Sequence, residues 1–284
     1  MSRLSFTLIL LVGLLTGALG ALLLRPEAPT VDQTQVRALV SEMLQKQADA
    51  TKPVAALDPA QVNKLVEDYL LGDPTILTRM NQRLADQKLV AQRKAQKDQL
   101  DAHRAEIYDD AGNVILGNPN GDVTLVEMFD YNCSYCRGAV PDMAALMAED
   151  PNLKVILKEF PILTSGSVDA ARVAVLVGEN KKIDYWDFHQ QLFAQRGEVG
   201  ADQALQVAEK LGGNRVELML DMNGKAATDA LQKSYALAKS LNIGGTPTYI
   251  IGDELIPGAV PIDQLREKIA NMRACGSTVC PAAS

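Results

Sequence analysis

The sequence predicts an α/β fold: a βαβ unit, an all-helical insertion, then a β-hairpin and a closing helix, with a separate α-helical region in front. Three observations carry this. Val123–Phe129 and Lys154–Phe160 are apolar runs of strand length that bracket a segment with helical spacing. Residues 168–241 are rich in helix formers, broken by Gly178, Gly197, Gly200, Gly212-Gly213 and Gly224. Thr248–Ile251 and Leu255-Ile256, separated by Gly252-Asp253-Glu254, read as a hairpin.

The chain has 284 residues, enough for one large or two small domains. Charged residues at 22% and hydrophobic ones at 47% are ordinary globular values. The net charge of −7 leaves no basic footprint, so no nucleic-acid partner is expected.

Arg3 precedes an uncharged run from Leu4 to Leu24, ended by Arg25-Pro26. About 20 apolar residues suffice to cross a bilayer. Ala18 and Gly20 offer a small-x-small cleavage site before Ala21. Residues 1–25 are therefore a signal peptide or a membrane anchor. Either one would place the rest of the chain outside the cytoplasm, where cysteine pairs suit disulfide chemistry.

After a short linker at 26–30, Val36, Leu39, Val40, Met43 and Leu44 mark a first amphipathic helix. Asp58-Pro59 starts a second, ended by Gly72, and Asp73-Pro74 starts a third running to about Ile107. The stretch Gln92–Asp98 is thinly apolar and reads as a solvated helix, a spacer or assembly stalk, or else a helix packed loosely on its own domain. Three helices with narrow apolar stripes bury little within one chain. Residues 28–107 are thus expected to be a helical extension that forms a homo-oligomer through residues 31–107.

Residues 108–274 hold the α/β unit. The turn at 109–113 leads to a short strand, Val114–Leu116, and the turn at 117–122 leads to the strand that ends before Cys133. Helices are expected at 168–179, 185–195, 201–211, 215–223, 224–241 and 261–272.

Cys133-Ser134-Tyr135-Cys136 stands where a strand hands over to a helix. A helix N-terminus carries about half a positive charge and unpaired N–H groups. A thiolate there is stabilised, which takes Cys-x-x-Cys thiols from about 8.5 to roughly 3.5–7.5. Cys133 is expected to be the exposed nucleophile and Cys136 the buried resolving thiol. Zinc would want a second ligand pair some 12–20 residues away. The next cysteine is Cys275, and His103 and His189 lack such spacing, so no metal is assigned. His103 and His189 read as surface or packing residues.

Gly244-Gly245-Thr246-Pro247-Thr248 precedes the hairpin. Together with Cys133-x-x-Cys136 after a strand and the helical insertion, this resembles the thioredoxin superfamily. The Phe129-Asp130-Tyr131-Asn132-Cys133 run is similar to its DsbA branch, and the helical extension resembles exported ScsC-like proteins. The catalytic resemblance covers about residues 108–273. It implies a thioredoxin-like fold with a helical insertion, a cis Pro247 beside Cys133, and a Thr246 backbone able to pair with an extended substrate. It implies a buried Glu127 that influences proton movement at Cys136, with Lys158 on the neighbouring strand as a candidate partner. It also implies protein thiol–disulfide oxidoreductase or isomerase activity without a cofactor, on exported proteins with thiols or disulfides, alongside a membrane redox partner. Ser134-Tyr135 and Thr246 depart from the strongly oxidising DsbA pattern and count against a pure oxidase, and the resemblance associates a threonine at position 246 with isomerases. A monomeric oxidase, a Cu(I)-handling protein and a non-catalytic helical scaffold are the alternatives.

Cys275 and Cys280 flank a four-residue segment in the tail, residues 275–284. A disulfide that staples the tail, relay to the active site, and a shared copper or zinc site with Cys133 and Cys136 all remain open from spacing.

Overall fold

The computed structural model describes residues 32–50, 58–180 and 182–281. The segment 1–25 and the linker at 26–30 lie outside them. Among the described residues no helix is long and apolar enough to cross a membrane.

The chain clusters into two compact units, Met1–Thr78 and Arg79–Ser284. In the first, α1 (Gln33–Ala50) follows Asp32, whose carboxylate accepts from Thr34 N–H at 2.9 Å. Asp58 likewise caps α2 (Pro59–Gly72), with Pro59 at the first helical position, where a missing N–H costs nothing. α2 buries no residue, and Leu65 and Tyr69 are among its exposed side chains. Asp73 caps the next start through Thr75 N–H at 3.1 Å.

That helix, α3 (Thr75–Ala102), stops at His103, where a short α4 (Arg104–Tyr108) begins. The single helix expected to run to Ile107 is therefore two. Within the second unit, Gln92–Asp98 of α3 are exposed apart from half-buried Gln96, as a solvated helix would be, and the chain packs onto the sheet beyond them, through the end of α3 and through α4. Leu100 and Ile107 are buried against Val126, Met128, Ile156, Leu237 and Ile250. Gln96 accepts the backbone N–H of Leu255 at 3.2 Å.

The second unit holds a five-stranded sheet: β1 (Val114–Gly117), β2 (Val123–Phe129), β3 (Leu153–Glu159), β4 (Thr248–Ile251) and β5 (Glu254–Pro257), in the order β1-β3-β2-β4-β5. β2 and β3 are parallel; every other pair is antiparallel. A parallel pair needs a crossover, supplied by α5 (Ser134–Glu149). Between β3 and β4 lie the insertion helices α6 (Ser165–Glu179), α7 (Tyr185–Phe193), α8 (Ala201–Lys210), α9 (Arg215–Asp221) and α10 (Lys225–Ser240). α11 (Ile262–Cys275) closes the domain.

Both faces of the sheet are covered, so β2 and β3 read as continuous apolar runs rather than alternating ones. Leu125, Phe129, Val155, Leu157 and Tyr249 face α5, α11 and the insertion. Val126, Met128, Ile156 and Ile250 face α10 and the end of α3. This parity decides where each ionisable strand residue goes.

Candidate active site

β2 delivers the chain to Asp130, which is wholly buried. Its carboxylate accepts four hydrogen bonds: Asn132 N–H at 2.8 Å, Ser167 Oγ–H at 2.7 Å, Ile162 N–H at 2.8 Å and Leu163 N–H at 2.9 Å. Its carbonyl accepts Cys133 N–H at 3.0 Å, which turns the chain into α5. Cys133 occupies the N-cap with extended backbone, φ −79° and ψ 118°, and no side chain caps the helix. The first-turn N–H groups of α5 are therefore left free of a capping side chain beside Cys133.

Cys133 and Cys136 are both unpaired thiols, and both are buried. The exposed Cys133 expected from the sequence is corrected here: its exposure is 5%. The loop before β4 covers it, and its thiol donates to the Thr246 carbonyl at 3.2 Å. The Thr246–Pro247 bond is cis, and Gly258 N–H holds the Pro247 carbonyl at 2.8 Å. Thr246 Oγ1 is buried with no hydrogen-bond partner among the described residues. Tyr135, in the Cys-x-x-Cys itself, and Ile162 and Leu163, whose N–H groups bind Asp130, have exposed side chains.

Glu127 is buried on the cysteine face of the sheet, between Leu157 of β3 and Tyr249 of β4. Burial alone pushes its carboxyl from 4.5 up to about 8. Burial, and next the Glu127 charge, hold the Cys136 thiol far above its ordinary value. The suggested Lys158 partnership does not form. Lys158 pairs in register with Met128 and so leaves by the opposite face, where its ammonium donates to the Glu106 carbonyl at 2.9 Å and to Asn113. Burial lowers that amine to about 8.

A second buried acid shares the Glu127 face. Glu159 Oε1 accepts Tyr185 O–H at 2.8 Å, and Tyr131 Oη lies 3.3 Å from both Tyr185 Oη and His189 Nδ1. Burial raises the Glu159 carboxyl well above the carboxylate range and lowers His189 to about 3, so the imidazole is neutral at pH 7. His189 is a packing residue, its ring 4.8 Å from those of Phe129 and Phe193. His103 lies 3.6 Å from Glu106 at the start of α4.

Sequence reasoning singled out Cys133, Cys136, Glu127, Thr246 and Pro247, and the fold brings these together. It assigned no role to Asp130, Asn132 or Arg137. Their polar side chains directly around a Cys-x-x-Cys were the available signal. Arg137 donates to the Phe193 carbonyl and, at 2.6 Å, to the Gln195 carbonyl, at the C-terminal end of α7.

Cys275 and Cys280 are joined to each other, away from this site. Their loop is pinned to the β4–β5 turn. Asp253 accepts from Ser277 Oγ at 2.7 Å and from Thr278 N–H at 3.0 Å.

The family model described as "DSBA-like thioredoxin domain" matches residues 124–270, a little over half of the chain. This chain belongs to the DSBA-like thioredoxin family. Its DSBA-like domain is 37% identical to a thioredoxin-like oxidoreductase from Silicibacter pomeroyi, covering 61% of this chain and 98% of that one at a TM-score of 0.57. A linker-deletion mutant of Proteus mirabilis ScsC aligns over 78% of this chain and 99% of its own, with 27% identity and a TM-score of 0.60. Disulfide bond formation protein D of Bacillus subtilis is 23% identical over 168 residues, which cover 56% of this chain and 76% of that protein. The chain also matches sodium/proton antiporters, and spans about a quarter of the length of those relatives.

In such a DSBA-like domain the arrangement suits thiol–disulfide exchange. One thiol sits at a helix start against a backbone carbonyl, the second lies behind it, and a neutral acid is buried on the same sheet face.

Proposed function

We propose that this chain is an exported thiol–disulfide oxidoreductase acting on protein disulfides, with Cys133 as nucleophile and Cys136 as resolving thiol. The observation that carries this is the placement of Cys133 at the N-cap of α5, with its thiol against the Thr246 carbonyl. In the reductive direction, Cys133 thiolate attacks one sulfur of a substrate disulfide. A mixed disulfide forms and the other substrate sulfur leaves as a thiol. Cys136 then attacks Cys133 Sγ, which closes the Cys133–Cys136 disulfide and frees the second substrate thiol. In the oxidative direction a substrate thiolate attacks Cys133 of that disulfide, and Cys136 leaves. Protonated Glu127 supplies the proton that the departing Cys136 thiolate takes up. The Thr246 backbone positions an extended substrate.

The reading extends to an oligomeric isomerase. Val36, Leu39, Val40, Met43 and Leu44 of α1 are exposed together, as are Val62, Leu65, Val66, Tyr69 and Leu70 of α2. Faces of this kind suit self-association, and the likeness to ScsC runs through part of this region. Export into the periplasm, where a membrane redox partner would reset the cysteines, is supported by the apolar segment from Leu4 to Leu24.

The test is refolding of a scrambled disulfide protein, with Cys133→Ser as control and light scattering on residues 27–284 and 108–284. Cys133-dependent reshuffling by an oligomer that becomes monomeric on truncation supports the isomerase. A monomer that oxidises dithiols but does not reshuffle makes it an oxidase. No Cys133-dependent exchange with any disulfide sinks the enzyme reading.

A further inference from the structure

Asn132 stands directly before the nucleophile, and its side chain is fully engaged. Its Oδ1 accepts Val199 N–H at 2.7 Å, and its Nδ2 donates to the Val199 carbonyl at 2.9 Å. A single carboxamide thus pairs both backbone groups of a residue in the insertion, as a neighbouring β-strand would. Val199 is wholly buried, so those two groups have no solvent to turn to.

Nδ2 also donates to Ser167 Oγ at 3.0 Å. That hydroxyl donates to Asp130 Oδ1 at 2.7 Å, and the same Oδ1 accepts Asn132 N–H at 2.8 Å. The bonds close a ring through Asp130, Asn132 and Ser167. The ring joins three places: the end of β2, the first turn of α6 and the residue before the Gly200 N-cap of α8. Arg137 makes a second clamp to the same inter-helix loop from the other side of Cys133. Cys133 therefore sits between two anchors to the insertion.

We propose that Asn132 is a positioning residue for Cys133, an inference that rests on the thiol–disulfide reading above. The ring fixes the peptide that feeds the start of α5. The Cys133 sulfur then stays against the Thr246 carbonyl, with the helix N-terminus aimed at it. Without the Asn132 carboxamide the residue directly before Cys133 loses its hold on Val199 and Ser167, although Asp130 keeps Ile162, Leu163 and Ser167 and Tyr131 keeps Tyr185 and His189, and the reduced form loses part of the preorganised helix start. The Cys133–Cys136 disulfide then becomes harder to reduce.

The experiment compares the full chain with its Asn132→Ala, Ser167→Ala and Cys133→Ser variants. The readouts are melting temperature, the equilibrium with reduced and oxidised glutathione, and kcat and KM for exchange with a small disulfide. We expect Asn132→Ala to shift the glutathione equilibrium towards the protein disulfide by about tenfold, roughly 30 mV. We expect kcat to fall by a similar factor with KM unchanged, because Asn132 does not touch the substrate. Ser167→Ala, uncharged and remote from the sulfur, should move both in the same direction by less. A lower melting temperature with an unchanged equilibrium and kcat in both variants would make the ring merely structural and overturn the inference. Wild-type exchange no faster than that of Cys133→Ser would overturn the underlying reading, and this inference with it.

Discussion

Replacing Glu127 by glutamine should stabilise the folded protein at neutral pH and leave its stability in acid unchanged. Glu127 is 4% exposed, and burial is the sole cause that lifts its carboxyl from 4.5 to about 8. The unfolded chain releases this proton near 4.5, while the folded chain keeps it until about pH 8. The stability of the wild type is thus fully present below pH 4.5 and is lost as pH rises through 8. The loss runs at up to about 1.4 kcal/mol per pH unit, so at pH 7 it amounts to about 3 kcal/mol. Glutamine has the shape of the protonated acid and no such proton to hold. Glu159, also raised by burial, is present in both proteins and cancels in the difference. The assay is urea unfolding of both proteins under reducing conditions at several pH values from 4.5 to 8. The gap between the two should open steadily across that window. A gap independent of pH, or a wild type more stable than the variant at pH 8, would refute the buried neutral acid. A second readout follows from the chemistry: the variant should be slower in the steps where Cys136 gains or loses its proton.

Cys136→Ser should accumulate a mixed disulfide between Cys133 and a substrate protein, read as a band on non-reducing gels that reductant removes; its absence would count against Cys133 as the attacking sulfur. Ile107→Ala should cost about 2–5 kcal/mol in denaturant unfolding, the ordinary range for emptying a buried aliphatic site; a cost near zero would mean that this residue does not belong to the domain core. The double change Cys275→Ser and Cys280→Ser should lower stability by about 2 kcal/mol, from the short loop the bond closes, while exchange through Cys133 persists. Lys158→Met should leave the pH profile of exchange in place, because the amine faces away from Glu127; a shifted profile would restore the pairing that the strand register rules out.

The strands were legible because both faces of the sheet are covered. Val123–Phe129 is apolar at almost every position, which a half-exposed strand would not be. The same property hid the fate of Glu127 and Lys158. A run without alternation does not reveal which residues share a face; only the pairing of Glu127 with Leu157 and of Met128 with Lys158 does. The burial of Leu100 was hidden for a related reason. It lies next to a polar stretch of α3, and its partners in α10 and β4 are distant in sequence. Local spacing cannot reveal a contact made at such range. Cys133 looked exposed because a helix start usually is, whereas the loop that covers it arrives with Thr246 through the topology. Asn132 and Arg137 bind backbone groups of Val199, Phe193 and Gln195, and such partners carry no residue type to recognise.

The insertion is part of the candidate active site rather than an appendage to it. Four residues of the stretch from Asp130 to Arg137 are held by it through side chains. Asp130 accepts from Ser167, Tyr131 meets Tyr185 and His189, Asn132 pairs with Val199, and Arg137 binds the end of α7. The aromatic rings of Phe129, Tyr131, His189 and Phe193 fill the space between these bonds. Much of this contact is buried, so a polar group that loses its partner bears its full desolvation cost. A domain cut down to its sheet, α5 and α11 would therefore leave the side chains of Asn132 and Arg137 without these partners, and Asp130 without Ser167, directly around Cys133. The covalent motif would survive in such a fragment, but the geometry that presents its sulfur would not.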